Sequence, residues 1–349
     1  MRNKSLIIGL LCLFALMVVF SITTKGQKPE EQPKFEIIEI GTGGAPHWSP
    51  DGTKLAFISG GWLCVASADG KGEIKRVAEI HPDFFEWMSD SEFVVYEREY
   101  PKAESIAVMP RLSIKRITID GRVTPVVRDT TFSKTSPPKI AKPMVLPDGT
   151  VGYYECKGGY RDWECKEFKI IKQGKLKPDS ALKQMIATTE GFPAWGEIWL
   201  ESVDRMVKKK ITRGKEYLFP KLSPDGSKIL ASYGPAEFVL DLQGNVILDL
   251  GKYRPQAPLP NYQPNYRAYL IVGAEWSPDT KKILYYVEVE DGHEVYDMDI
   301  YIINVDGTGN TKIAATPEEI EAGASWSPDG TKIAYVNQTT GKIYIVKIE

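Results

Sequence analysis

The sequence predicts an all-β repeat fold, a six-bladed β-propeller of four-stranded antiparallel blades, with seven blades as the alternative count. Three observations carry that prediction. A turn motif recurs along the chain, a second hairpin follows each copy, and the first strand has no partner in its own unit.

The motif is clearest at the C-terminal end. Trp326-Ser327-Pro328-Asp329-Gly330-Thr331-Lys332-Ile333-Ala334-Tyr335 repeats Trp48-Ser49-Pro50-Asp51-Gly52-Thr53-Lys54-Leu55-Ala56-Phe57. Trp276-Ser277-Pro278-Asp279-Thr280, Leu222-Ser223-Pro224-Asp225-Gly226 and Leu146-Pro147-Asp148-Gly149 are further copies, and Trp87-Met88-Ser89-Asp90-Ser91 is a worn one. Proline pre-sets φ for an early turn position, aspartate bonds its own backbone, and glycine supplies the positive φ that closes the turn. The alternation that follows each turn is that of a half-buried strand. The recurring tryptophan is expected to pack between units rather than to stack on a ligand.

The second hairpins turn at Asp69-Gly70, Asp120-Gly121, Gln173-Gly174, Gln243-Gly244 and Asp306-Gly307. One unit is therefore four strands. The longest interval between motifs, Pro147 to Pro224, holds two hairpin-like stretches, residues 168–176 and 197–212. It reads as an insertion in a six-bladed ring, or as a seventh blade whose signature has worn to Thr188-Thr189-Glu190-Gly191. The last unit stops after its third strand, and residues 35–40 form a strand without a partner. The N-terminal strand is thus expected to complete the last blade and close the ring, which removes exposed edges.

The repeated W-S-P-D-G-T-K-I-A-Y string, with Asp299-Ile300-Tyr301 opening a later strand of the unit, resembles the TolB-like propellers with WD40-like repeats across residues 35–349. The resemblance implies a periplasmic or secreted platform that binds proteins. TolB also carries an N-terminal α/β domain, and residues 27–34 leave no room for one here. Only the propeller is expected to carry over.

Arg2 and Lys4 precede an apolar run from Leu6 to Ile22, so residues 1–26 read as a signal peptide or an N-terminal membrane anchor. Either sends the chain out of the cytoplasm, to the periplasm or beyond. Residues 27–34 are a polar linker. Export permits disulfides. Cys156 and Cys165 flank a turn-like segment and are expected to pair, whereas Cys64 sits in an apolar run as a buried thiol. A formal net charge of -2 gives no general attraction to nucleic acid.

Length variation gathers in the connections between second and third strands and between successive blades, which share one face of a propeller. Residues 251–267 stand out there. Tyr253, Arg254, Tyr262, Tyr266 and Arg267 are residue types enriched at binding hot spots, and the prolines among them lower the ordering cost. The acidic stretch Glu288-Val289-Glu290-Asp291-Gly292-His293-Glu294, with Asp297 and Asp299, fits no ordered calcium loop. No metal and no cofactor is expected. Lys208-Lys209-Lys210 reads as protection of an outer strand.

The chain has three histidines, none in a metal-binding pair, and no nucleophile elbow or P-loop. The expectation is a non-enzymatic, monomeric binding or scaffold propeller. It would dock a protein or a cell-surface polymer on its loop-rich face, with Leu6 to Ile22 as a membrane tether. The alternative is a periplasmic carbohydrate-active or hydrolytic propeller enzyme that uses the central channel.

Overall fold

The computed structural model describes residues 35–80, 82–99, 111–128, 140–146, 148–157, 164–181, 183–189, 195–255, 268–290, 294–314, 316 and 319–348. They form seven small antiparallel sheets arranged as a seven-bladed β-propeller. Blade one is Gly44–Trp48, Lys54–Ser59, Trp62–Ser67 and Lys75–Glu79. Blade two is Pro82–Ser89, Glu92–Glu99, Arg111–Thr118 and Val123–Arg128. Blade six is Ala268–Trp276, Lys282–Glu290, Val295–Asn304 and Thr311–Ala314. Blade five is Tyr217–Leu222, Lys228–Tyr233, Ala236–Asp241 and Val246–Asp249, with the two-residue strand Trp195–Gly196 added at its inner edge. Blade seven takes Glu321–Trp326, Lys332–Asn337 and Lys342–Lys347 from the C-terminal end and Ile37–Thr42 from the N-terminal end. Ile38 pairs with Ile345 in that closing ladder.

The first turns show why the motif recurs. Ser327 Oγ donates to Asp329 at 2.6 Å, Asp329 accepts the Thr331 N–H at 3.0 Å, and Ser327 Oγ accepts the Lys332 N–H at 2.9 Å. Ser49, Ser223 and Ser277 make the same bond to Asp51, Asp225 and Asp279. Hydrogen bonds to the ionised form hold Asp329 and Asp225 down at about 2.

Each seam between blades holds its own apolar cluster, so the core is seven wedges rather than one centre. The tryptophans knit the inner strands. Trp48 Nε1 donates to Ser325 O at 3.1 Å, Trp87 to His47 O at 2.9 Å, and Trp276 to Lys221 O at 3.2 Å. Each indole reaches back to the preceding blade in the ring.

The alternative count of seven blades is the one found, and the additional blade lies in the long interval. Blade three has three strands among the described residues, Met144–Val145, Val151–Lys157 and Glu164–Lys172. Blade four has Met185–Thr189, Ile198–Ser202 and Lys208–Lys210. Among the described residues blade three has no outer strand and blade four no inner one. The hairpin expected at Gln173-Gly174 does not form. Gly174 N–H donates to Thr150 Oγ1 at 3.0 Å, and Lys175 N–H to Asp148 O at 3.0 Å. A Cβ on Gly174 would lie 2.3 Å from the Thr150 nitrogen, so only glycine fits this strap. The segment then enters a short helix, Pro178–Ala181, instead of reversing.

The worn signature also lies elsewhere than expected. Thr188 and Thr189 are inside a strand, and Gln184 takes the turn's role. In other seams a first-turn aspartate N–H donates to the next blade, Asp51 to Asp90 at 2.9 Å and Asp225 to Thr280 Oγ1 at 3.3 Å. Asp148 N–H donates to Gln184 Oε1 at 3.3 Å in the same way.

Candidate docking face

The two faces of the propeller differ. First turns and second hairpins share one face, and they are short and closed by their own side chains. The strand ends that lead into the other connections lie on the opposite face.

On that face, between blades four and five, lies a groove of about 1040 Å³ lined by Glu197, Gly214, Lys215, Glu216, Leu218, Tyr233 and Gly234. Tyr233 is 42% exposed and rests against Tyr217 and Phe238, while Lys215 Nζ stands 5.7 Å from its ring centre. Glu197 is taken up by the Gly214 N–H and Lys210, which hold its carboxyl below the usual range.

Phe219, next to Leu218, is the outlier of the region. It has φ of 48° and is 61% exposed. The equivalent bulge positions on the inner strands, three residues before the motif's Trp, are Gly273 and Gly323 in blades six and seven, both at positive φ, and Ala45 in blade one. A bulky residue in the left-handed region is strained. Here no buried contact compensates, because the ring faces solvent.

The seam between blades six and seven gathers carboxyls at the same face. Asp299 is 8% exposed and pairs with Lys312 at 2.7 Å. Glu321 is fully buried, accepts the Thr316 N–H at 2.9 Å, and leaves Oε2 without a partner. Asp297 Oδ1 is likewise buried and unpartnered. Burial first, and neighbouring carboxylates after it, push Glu321 up to about 7 and Asp297 up to about 6. No group of three or more metal-ligating side chains is arranged to hold an ion among the described residues.

Of the residues singled out in sequence, Tyr262, Tyr266 and Arg267 lie outside the described residues, as do residues 1–34. Tyr253 ends a 3₁₀ turn, Leu250–Tyr253, packs in the seam of blades five and six, and donates its hydroxyl to Gly307 O at 2.9 Å. Arg254 Nε donates to Gly251 O at 3.2 Å. Both side chains are thereby engaged with the backbone rather than brought to the groove. Cys156 and Cys165 stand opposite each other and are joined by a disulfide; Cys64 is a buried free thiol. Lys208–Lys210 forms the outer strand of blade four. Sequence reasoning missed Phe219 and Tyr233. The one available signal was Phe219-Pro220 at the bulge position where blades six and seven carry glycine and blade one alanine. No helix among the described residues is long and apolar enough to cross a membrane.

No family model and no curated protein matches the sequence. Solved structures do match. A putative TolB from Agrobacterium tumefaciens is 18% identical, with 90% of this chain and 98% of that one covered and a TM-score of 0.41. TolB from Acinetobacter baumannii is 13% identical, with 90% and 80% covered and a TM-score of 0.42. A chain in the crystal structure of the Mitotic Checkpoint Complex is 10% identical, with 94% and 97% covered and a TM-score of 0.48. The likeness is one of fold.

Proposed function

We propose that this TolB-like, seven-bladed propeller is an extracytoplasmic binding module, and that it docks a protein on the face carrying the blade-five groove. The observation that carries the reading is Phe219. Its strained backbone and exposed ring lower stability, and that ring, one residue along the chain from the groove-lining Leu218, offers a partner an aromatic anchor at little ordering cost. The contrast between faces supports it, since variable connections on a rigid scaffold are where recognition resides. The leader-like run from Leu6 to Ile22 and the Cys156–Cys165 disulfide support an oxidising compartment outside the cytoplasm. The reading is one of binding, with no catalytic role assigned.

The test uses the full chain as immobilised bait for envelope proteins, beside a Phe219→Gly/Tyr233→Ala variant. Phe219→Gly relieves the strained φ and is expected to stabilise the fold by about 1 kcal/mol. Tyr233→Ala removes ring contacts with Tyr217 and Phe238, so a thermal melt of the double variant accompanies the assay and loss of binding is read only from folded protein. A protein held by the parent chain and released by the variant is the expected result. Equal retention by both removes the groove from the account. Retention of nothing by either, with binding to a polysaccharide panel instead, overturns the protein-docking reading.

A further inference from the structure

We infer that the outer edge of blade three, the strand Glu164–Lys172, is a self-recognition surface: it pairs antiparallel with the same strand of a second copy of this chain.

The edge is open. Glu164–Lys172 ends its sheet, whereas in blades one, two, five and six the third strand is covered by a fourth, and in blade seven by Ile37–Thr42. The cause is the strap described above: Gly174, Lys175 and Leu176 bond back to Thr150 and Asp148, the Leu176 N–H donating to Asp148 Oδ2 at 3.2 Å. The stretch that would supply a fourth strand is thereby held away from the edge. On the inner side the strand pairs with Val151–Lys157, regularly from Glu167 to Ile170 with a register shift on either side, and is joined to it by the disulfide between the facing Cys156 and Cys165. Among the described residues the outward side of Glu167–Ile170 has no ladder partner, and it offers N–H and C=O groups to a chain that can align with it.

The sequence of the edge selects the partner. It reads Glu164-Cys165-Lys166-Glu167-Phe168-Lys169-Ile170-Ile171-Lys172. A two-fold axis through Phe168 sets Glu167 opposite Lys169 of the second copy, Lys169 opposite Glu167, and Phe168 opposite itself. Unlike charges thus face each other on both sides of the axis. Moving the axis to Lys169 or to Glu167 sets a charge against its own copy. Directly opposed pairs are the unit of sheet stabilisation, and like charges there destabilise. Antiparallel self-pairing about a two-fold gives a closed, isologous dimer rather than a growing fibre.

Blade four supplies the contrast. Its outer strand is Lys208–Lys210, and every self-pairing of that edge opposes lysines. One edge of the ring is protected by like charge, and its neighbour carries charges that match their own reversal. Within the monomer, Lys169 lies 3.8 Å from Glu155 and beside Glu167, and Lys157 lies 3.7 Å from Glu167. A second copy extends this ladder of alternating charge by one strand.

An edge-to-edge contact of this length buries less than a standard interface of roughly 1,600 Å², so the dimer is expected in the micromolar range, with the monomer as the dilute species. The test is sedimentation velocity of the full chain over a hundredfold range of concentration, as a rough span. The expected result is a reversible dimer. Lys169→Glu alone and Glu167→Lys alone each turn two facing pairs into like-charge pairs and weaken dimerisation roughly tenfold or more. Mixing the two single variants restores a dimer, because each then presents the charge the other lacks. So does the double exchange Glu167→Lys/Lys169→Glu. Association through residues 6–22 would ignore all of these changes. A chain that stays monomeric throughout, or a dimer indifferent to the single reversals, overturns the proposal.

Discussion

Single side chains in this propeller carry charge where burial opposes it. Glu321 faces Asn337 across the inner strands of blade seven and shares the seam with Asp297 and Asp299; opposite them stand Lys312, already paired with Asp299, and Glu319, bonded by the Asn337 amide. Burial, and after it the charge of Asp299 and Asp297, lets Glu321 keep its proton to about 7, against an ordinary value of 4.5. The direction of the pH effect follows. The unfolded chain loses that proton near 4.5 while the folded chain holds it, so stability is full below that pH and falls as pH rises toward 7. Glu321→Gln keeps the shape and hydrogen-bonding capacity without the charge. It is expected to leave stability unchanged at pH 4 and to raise it at pH 8 by on the order of 2 kcal/mol. Urea unfolding at the two pH values measures this. A variant no more stable than the parent at pH 8 would show that Glu321 ionises freely in the fold.

The turn is the element that repeats, and it titrates in the opposite sense. Asp225 accepts from Ser223 Oγ at 2.7 Å, from the Ser227 N–H at 3.0 Å and from Ser227 Oγ at 2.8 Å. Its carboxyl is held at about 2 against an ordinary 3.8, so its stabilisation is present above pH 4 and is lost as pH falls through 2. Asp225→Ala should cost about 1 kcal/mol at pH 7, the value of lost turn hydrogen bonds at an exposed site, and clearly less at pH 2, where the carboxyl is taking up its proton. Thermal melts at both pH values decide it; an equal cost at both would mean that the charge is immaterial to the turn. These turns are legible in sequence because Ser-Pro-Asp-Gly encodes their geometry locally. The start of blade four and the end of blade three were not. Blade four docks through Gln184 in place of a Ser-Pro-Asp turn, and blade three loses its outer strand to bonds between Gly174 and Thr150, residues far apart in sequence. The groove was hidden for a related reason. Phe219 and Tyr233 gain their meaning from φ and exposure, which composition does not report, whereas Tyr253, conspicuous in composition, spends its hydroxyl on Gly307.

At the scale of the whole molecule, stability depends on joining the two ends of the propeller. Each wedge of core lies between two blades, so no blade is complete until both neighbours are present. The last pair to meet is Ile37–Thr42 with Lys342–Lys347, whose partners lie some three hundred residues apart; Glu39 pairs with Lys342 at 2.9 Å and Glu36 with Lys347 at 2.7 Å. Such a contact forms late, because the closure entropy is met only after the intervening blades have ordered. Ile38 and Ile40 then pack into the seam of blades seven and one beside Ile343 and Ile345. A chain shortened to begin at Gly43 loses the ladder and both apolar side chains together, and it exposes Lys342–Lys347 as a bare edge. We expect a loss of roughly 4 kcal/mol, which for a domain of this size lowers Tm by about 8 °C or more. Self-association through the new edge should follow, and a synthetic peptide of residues 35–42 in excess should recover part of the loss by filling it. An unchanged Tm in the shortened chain would mean that the C-terminal strands hold the ring without the N-terminal one, and that closure contributes little to the stability of the fold.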